Sequence, residues 1–112
     1  MKKFIPLASP DIQPADIAAV TAVLETGMLV QGKNVAEFEY AISSYTQSRY
    51  AIATSNGTST MHIALCLLGI GPGDEVITAA NTFVATVGAI CELGATPVFV
   101  DCNDTFCMNT DL

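Results

Sequence analysis

Residues Tyr50–Leu68 read YAIATSNGTSTMHIALCLL: a short apolar run, a small polar turn, then apolar residues returning at helical spacing. Met61, Ala64, Leu65 and Leu68 recur on one helical face, while Tyr50–Thr54 has the length and texture of a strand. The predicted order is therefore strand, turn, helix. The first N–H groups of a helix have no intrahelical partner and carry the positive end of its dipole, so Asn56–Ser59 is a candidate anion cradle. The turn is not GxGxxG and lacks the lysine of a P-loop, which argues against dinucleotides and triphosphates. Hydroxyls and N–H groups without clustered cations suit a single phosphate group, and Thr58 and Ser59 can each donate both kinds of hydrogen bond. The plainer alternative is that Ser55 or Asn56 caps the helix and Gly57 permits a tight turn.

Downstream, Gly69–Asp74 is a glycine-rich turn with a proline that cannot continue the helix. Glu75–Ala79 reads as a second strand. Asn81 or Thr82 is placed to cap a further helix, in which Phe83, Val87 and Ile90 recur until Gly94. Pro97–Val100 reads as a third strand, its unbroken Val-Phe-Val suiting coverage on both faces. The tail from Asp101 is turn-like. Strand and helix in alternation predict an α/β fold, a parallel β-α-β-α-β sheet with two crossovers. The loops Ser55–Ser59, Ala80–Phe83 and Asp101–Asn103 would then leave one edge of that sheet, the edge where such folds bind ligands. Phe83 is either a ring to stack on a flat ligand or one more core aromatic. His62 has no second ligand at metal spacing and reads as a structural histidine, and Asp101 as a loop-positioning residue.

Upstream, Ser9-Pro10-Asp11 followed by Pro14 marks a helix start. Ile17, Val20 and Leu24 share a face, and Gly27 ends the helix. The segment Gly27–Gly32 is a short apolar loop that should dock on the body of the domain or on a second subunit. A second helix from about Asn34 aligns Val35, Phe38, Ile42 and Tyr45, with Glu37 and Glu39 read as solvated. The organisation expected is an N-terminal helical segment, residues 1–49, and a partial α/β ligand-binding domain, residues 50–112.

Hydrophobic residues make up 51% of the 112 and charged ones 13%. Such a chain has more apolar surface than it can cover alone, pointing to a partner chain or a further C-terminal part. Four basic residues against eleven acidic ones give a net charge of -7 with no basic stripe, which argues against nucleic acid. The N-terminus is too short in apolar residues for a signal peptide, and the charge-free stretch Tyr50–Gly73 is too interrupted by polar residues for a membrane span. A cytoplasmic protein is expected. Cys66, Cys91, Cys102 and Cys107 show no CxxC spacing, and Cys66 and Cys91 read as small core hydrophobes. No metal site is expected.

In combination, six segments resemble the DegT/DnrJ/EryC1/StrS family of pyridoxal-phosphate-dependent sugar aminotransferases: Ser9–Ile12; Gly27–Gly32 with Val35 and Phe38-Glu39; Ser55–Thr58 with His62–Leu65; Leu68–Ile77; Thr82–Thr86; and Gly94–Asp101. The resemblance covers nearly the whole chain. It implies the N-terminal portion of the large domain of a fold type I pyridoxal-phosphate-dependent transferase, with two helices preceding the sheet. It further implies that Gly57, Thr58 and Ser59 bind the phosphate of pyridoxal 5'-phosphate, that Phe83 stacks on its ring, that the Gly27–Gly32 loop lies near the active site, and that the enzyme is a homodimer. The substrates implied for the full-length enzyme are a keto sugar nucleotide and an amino-acid donor. Ala79 departs from the proline often found before the Thr-Phe segment. In this family the lysine that bonds the cofactor, the aspartate that pairs with its ring nitrogen and the small domain lie downstream of the matching segment. Of this chain's lysines, Lys2 and Lys3 are terminal and Lys33 is interhelical, so none falls on the ligand edge. The expectation is a fragment inactive on its own, with no catalytic residue among these 112. The alternatives are a non-catalytic cofactor-binding or regulatory module, and a bare α/β interaction domain.

Overall fold

A computed structural model describes residues 4–111, so Lys2 and Lys3 lie outside the described part. The chain divides into two compact units, Met1–Ala53 and Thr54–Leu112.

The first unit holds α1 (Pro14–Thr26) and α2 (Lys33–Thr46). Proline at N1 starts α1, its missing N–H being one that a helix leaves unpaired anyway. The N-cap is Gln13, not Asp11. Its N–H donates to the Asp16 carboxylate at 2.8 Å, placing a negative charge in the first turn where the dipole favours it. Asp11 instead accepts from the Gln13 side-chain amide. Gly27 closes α1. The expected apolar faces are present, but no residue of either helix is buried among the described residues.

The second unit holds α3 (Gly57–Leu67), β1 (Glu75–Ala79), α4 (Val84–Glu92) and β2 (Thr96–Val100). β1 and β2 pair in parallel, from Glu75 opposite Thr96 to Ala79 opposite Val100. Parallel neighbours need a crossover, and α4 is that crossover, packed on both strands. The turn before β1 is fixed by Asp74, whose side chain accepts from Gly71 N–H at 2.9 Å and whose carbonyl accepts from Thr96 N–H at 2.9 Å. The core is small: Ala89, Ile90 and Ala95 with Thr78, of which Ile90 is the only large side chain fully enclosed. α3 packs on α4, and Met61, Ala64 and Leu65 join Val76, Thr86 and Ile90 around an apolar cleft of about 210 Å³.

Four sequence expectations are corrected. Residues 50–54 do not form a strand, so the sheet has one β-α-β unit. A strand exists only as part of a ladder, and among the described residues only β1 and β2 form one; the N–H of Ala53 goes to a side chain instead. The α4 cap is Phe83, not Asn81 or Thr82, and Thr82 uses its hydroxyl on that of Thr86 at 3.1 Å. Cys66 and Cys91 are exposed, not in the core. Phe99, expected to be covered, is 53% exposed because only one face of the sheet carries a helix in the described residues.

Candidate functional site

The polar turn between Thr54 and Thr60 is organised around Asn56. Its backbone is extended, and its side-chain oxygen accepts from Ser59 N–H at 2.8 Å, so it is the N-cap of α3. Its carbonyl accepts from Thr60 N–H at 3.2 Å, opening the helical ladder. Thr54 donates its hydroxyl to the same carbonyl at 3.0 Å, and the hydroxyls of Thr54 and Thr60 lie 2.5 Å apart. Ser55 and Ser59 pair their hydroxyls at 3.2 Å. The turn is thereby held from both sides.

What these bonds leave over is informative. Of the first three N–H groups of α3, that of Ser59 is capped, while those of Gly57 and Thr58 have no partner among the described residues; nor has the Thr58 hydroxyl. Two backbone donors and one side-chain donor thus share a single helical turn, at the positive end of the dipole. Gly57 has no conformational reason to be glycine, since its φ is not positive. A Cβ there would meet nothing within 4 Å, so its absence keeps the backbone open to an approaching group. The arrangement fits a phosphate monoester: several donors, no competing carboxylate in the turn and no neighbouring lysine to call for a polyphosphate.

The structure brings Gly57, Thr58 and Ser59 together on this turn. Phe83 lies elsewhere in the same unit, between β1 and α4, as the N-cap of the helix against which α3 packs. It is 76% exposed among the described residues. Asp101 follows β2, its carboxylate accepting from Cys102 N–H at 2.7 Å, in keeping with a loop-positioning residue. His62 is half-buried, and no group of metal-binding side chains exists among the described residues. Lys33 forms an exposed ion pair with Glu37 at 3.5 Å.

Sequence reasoning missed two things. Thr54, expected at the end of a strand, and Thr60 instead flank the turn with their hydroxyls, and hydroxyls on either side of a polar turn are a signal the sequence does carry. Glu39, expected to be solvated, is half-buried on α2 and accepts from Ala53 N–H at 2.8 Å. With the partners fourteen positions apart, nothing local could have signalled that bond.

The profile of the DegT/DnrJ/EryC1/StrS aminotransferase family matches residues 10–112. The chain belongs to this family. It is 48% identical over 99 residues to UDP-4-amino-4-deoxy-L-arabinose–oxoglutarate aminotransferase of Shewanella sediminis, a match covering 88% of this chain and 26% of that protein. A protein of Streptococcus pneumoniae assigned as a sugar aminotransferase, solved in its PLP form, is similar at 40% identity and a TM-score of 0.86, over 96% of this chain and 28% of that one. The Bacillus subtilis protein NtdA, solved with bound cofactor PMP, is similar at 45% identity and a TM-score of 0.78, over 85% of this chain and 22% of that one. The chain thus spans about a quarter of the length of these relatives. The fold is that of the matched portion of fold type I aminotransferases, as the resemblance implied.

Proposed function

We propose that this chain supplies the phosphate- and ring-binding part of a pyridoxal-phosphate-dependent aminotransferase acting on a keto sugar nucleotide with an amino-acid donor. The observation that carries the reading is the first turn of α3, with its free Gly57 and Thr58 N–H groups and free Thr58 hydroxyl, in a chain of an aminotransferase family. PLP and PMP forms of structural neighbours support the choice of cofactor. When bound, pyridoxal phosphate supplies the carbonyl and electron-withdrawing ring through which an amino group passes from donor to acceptor. The N–H groups of Gly57 and Thr58 and the hydroxyls of Thr58 and Ser59 hold the phosphate. Phe83 covers one face of the ring and keeps water from it. The missing Cβ of Gly57 lets the anion reach the backbone.

The remaining parts of the reading are a homodimer, which the resemblance implies, and, from the composition and the sequence pattern, a cytoplasmic location and a division into a helical segment at 1–49 and a cofactor-binding part at 50–112. A lysine that bonds the cofactor must be able to lose its proton in a dry site. Lys33, the only lysine among the described residues, is water-exposed and paired with Glu37. The described residues therefore offer no lysine for that bond, and we expect no transamination from them alone. The same observation favours a second reading, a non-catalytic cofactor-binding module. The reading frame beyond Leu112 separates the two: a lysine in a Ser/Thr/Asn-rich loop with an aspartate before it supports the enzyme, and a stop directly after Leu112 supports the module.

The test is calorimetric titration with pyridoxine 5'-phosphate, which has no aldehyde and so cannot react with surface amines, against pyridoxine. We expect binding of the phosphate ester alone, and no turnover when a keto sugar nucleotide, glutamate and pyridoxal phosphate are supplied. Equal binding of the two ligands would refute the phosphate reading, and turnover would refute the assignment of the amine-bearing group to another segment.

A further inference from the structure

We propose that Thr86 is a positioning residue for the Phe83 ring, acting in part through the Thr82 hydroxyl. The inference rests on the reading of Phe83 as the ring that covers the cofactor, and all the residues it uses lie in the second unit. Pairing between the strands runs as far as Ala80, whose N–H donates to the Val100 carbonyl at 2.8 Å. Helix α4 begins at Val84. Between the two, Asn81, Thr82 and Phe83 are exposed, and Phe83 is an N-cap whose side chain makes no cap bond. Thr86 supplies the hold that this segment lacks. Its N–H donates to the Phe83 carbonyl at 3.0 Å, and its hydroxyl lies 3.1 Å from that of Thr82. Among the described residues, this hydroxyl pair is the only side-chain hydrogen bond to any residue from Ala80 to Phe83. The two threonines differ in their surroundings: Thr82 is exposed, whereas Thr86 is half-buried and lines the apolar cleft with Met61, Val76 and Ile90. A β-branched side chain is stiff at χ1, and packed neighbours hold it further. Thr86 is therefore the anchored end and Thr82 the held end, so the backbone on either side of Phe83 is tied to the body of α4. A ring that covers a flat ligand must keep one orientation, and residues locked by packing and hydrogen bonds are what keep it.

NMR titration of the 112-residue chain tests this with pyridoxine 5'-phosphate and with methyl phosphate, which carries the ester but no ring. Thr82→Val and Thr86→Val each keep the shape of threonine without its hydroxyl. Both should weaken pyridoxine 5'-phosphate about fivefold, the worth of one neutral hydrogen bond, and leave methyl phosphate unchanged. In both, the χ1 scalar couplings of Phe83 should show its side chain spread over more than one rotamer. Thr86→Ser, which keeps the hydroxyl, should retain most of the parent's affinity and its Phe83 couplings. Equal weakening toward both esters would overturn the proposal, by making Thr86 a general stability residue of the second unit. Phe83 couplings unchanged in the valine variants would also overturn it. Should Phe83→Ala bind pyridoxine 5'-phosphate as the parent does, or the parent bind neither ester, the cofactor reading of that residue or of the phosphate turn falls, and the couplings still decide whether Thr86 holds the Phe83 side chain.

Discussion

Asn56, Thr58 and Ser59 look interchangeable as small polar residues, yet their bonding separates them. Asn56 spends its side chain on the cap, so Asn56→Ala should lower stability by about 1 kcal/mol, read as a lower urea midpoint, with Asn56→Asp restoring it. Thr58 spends neither of its donors within the chain, whereas the Ser59 N–H is capped and its hydroxyl is shared with Ser55. Thr58→Ala should therefore weaken phosphate-ester binding more than Ser59→Ala while leaving the unfolding free energy within about 0.5 kcal/mol of the parent; the reverse order would show that the Ser59 hydroxyl is the more important phosphate donor. This distinction was only half legible in the sequence. A cap and an anion cradle draw on the same residues, and Ser55 and Asn56 were equally eligible for the cap. The three-dimensional bonds make the two functions compatible, one residue capping and the next remaining free.

At the scale of elements, the α4 crossover is the part whose integrity the second unit depends on, because it packs on both strands and on α3. Ile90 is 1% exposed, so Ile90→Ala should cost about 2–5 kcal/mol, measurable by denaturant unfolding, and should loosen β1 and β2 together. The turn after α4 offers a paired comparison. Gly69 and Gly94 both have a φ of +77°, but a Cβ at Gly94 would lie 3.1 Å from Pro72 Cγ and one at Gly69 would meet nothing. Alanine at either position carries the left-handed cost of about 1–2 kcal/mol, and Gly94→Ala should lose more by the added contact. Equal losses would mean that Pro72 moves aside freely. The helices and both paired strands were legible because periodicity and glycine punctuation are local signals. The strand expected at 50–54 failed because pairing is not local: Ala51 and Ala53 are half-buried and Ile52 is 80% exposed, an alternation any strand would show, and only the destination of the Ala53 N–H reveals that no ladder forms there.

At the scale of the molecule, the composition and the structure tell the same story. The large apolar side chains are mostly exposed in each unit, including Leu67, Leu68, Ile77 and Phe99 in the second. Surfaces of this kind cause association when nothing covers them. The 112-residue chain should elute from a size-exclusion column ahead of a monomer and bind a hydrophobic dye, and a clean monomer that leaves the dye dark would contradict that expectation. The family was legible because six segments of ordinary residues coincide in order, although no single one is diagnostic; the phosphate turn alone would have remained a capped helix.

The central claim is that the first turn of α3 holds the cofactor phosphate, and the most direct test is the affinity of pyridoxine 5'-phosphate for the chain carrying both Thr58→Ala and Ser59→Ala. Losing a hydrogen bond to a charged group costs about 1.5–3 kcal/mol, so the double variant should bind at least tenfold more weakly, with its helical circular dichroism unchanged. An affinity equal to that of the parent chain would contradict the account.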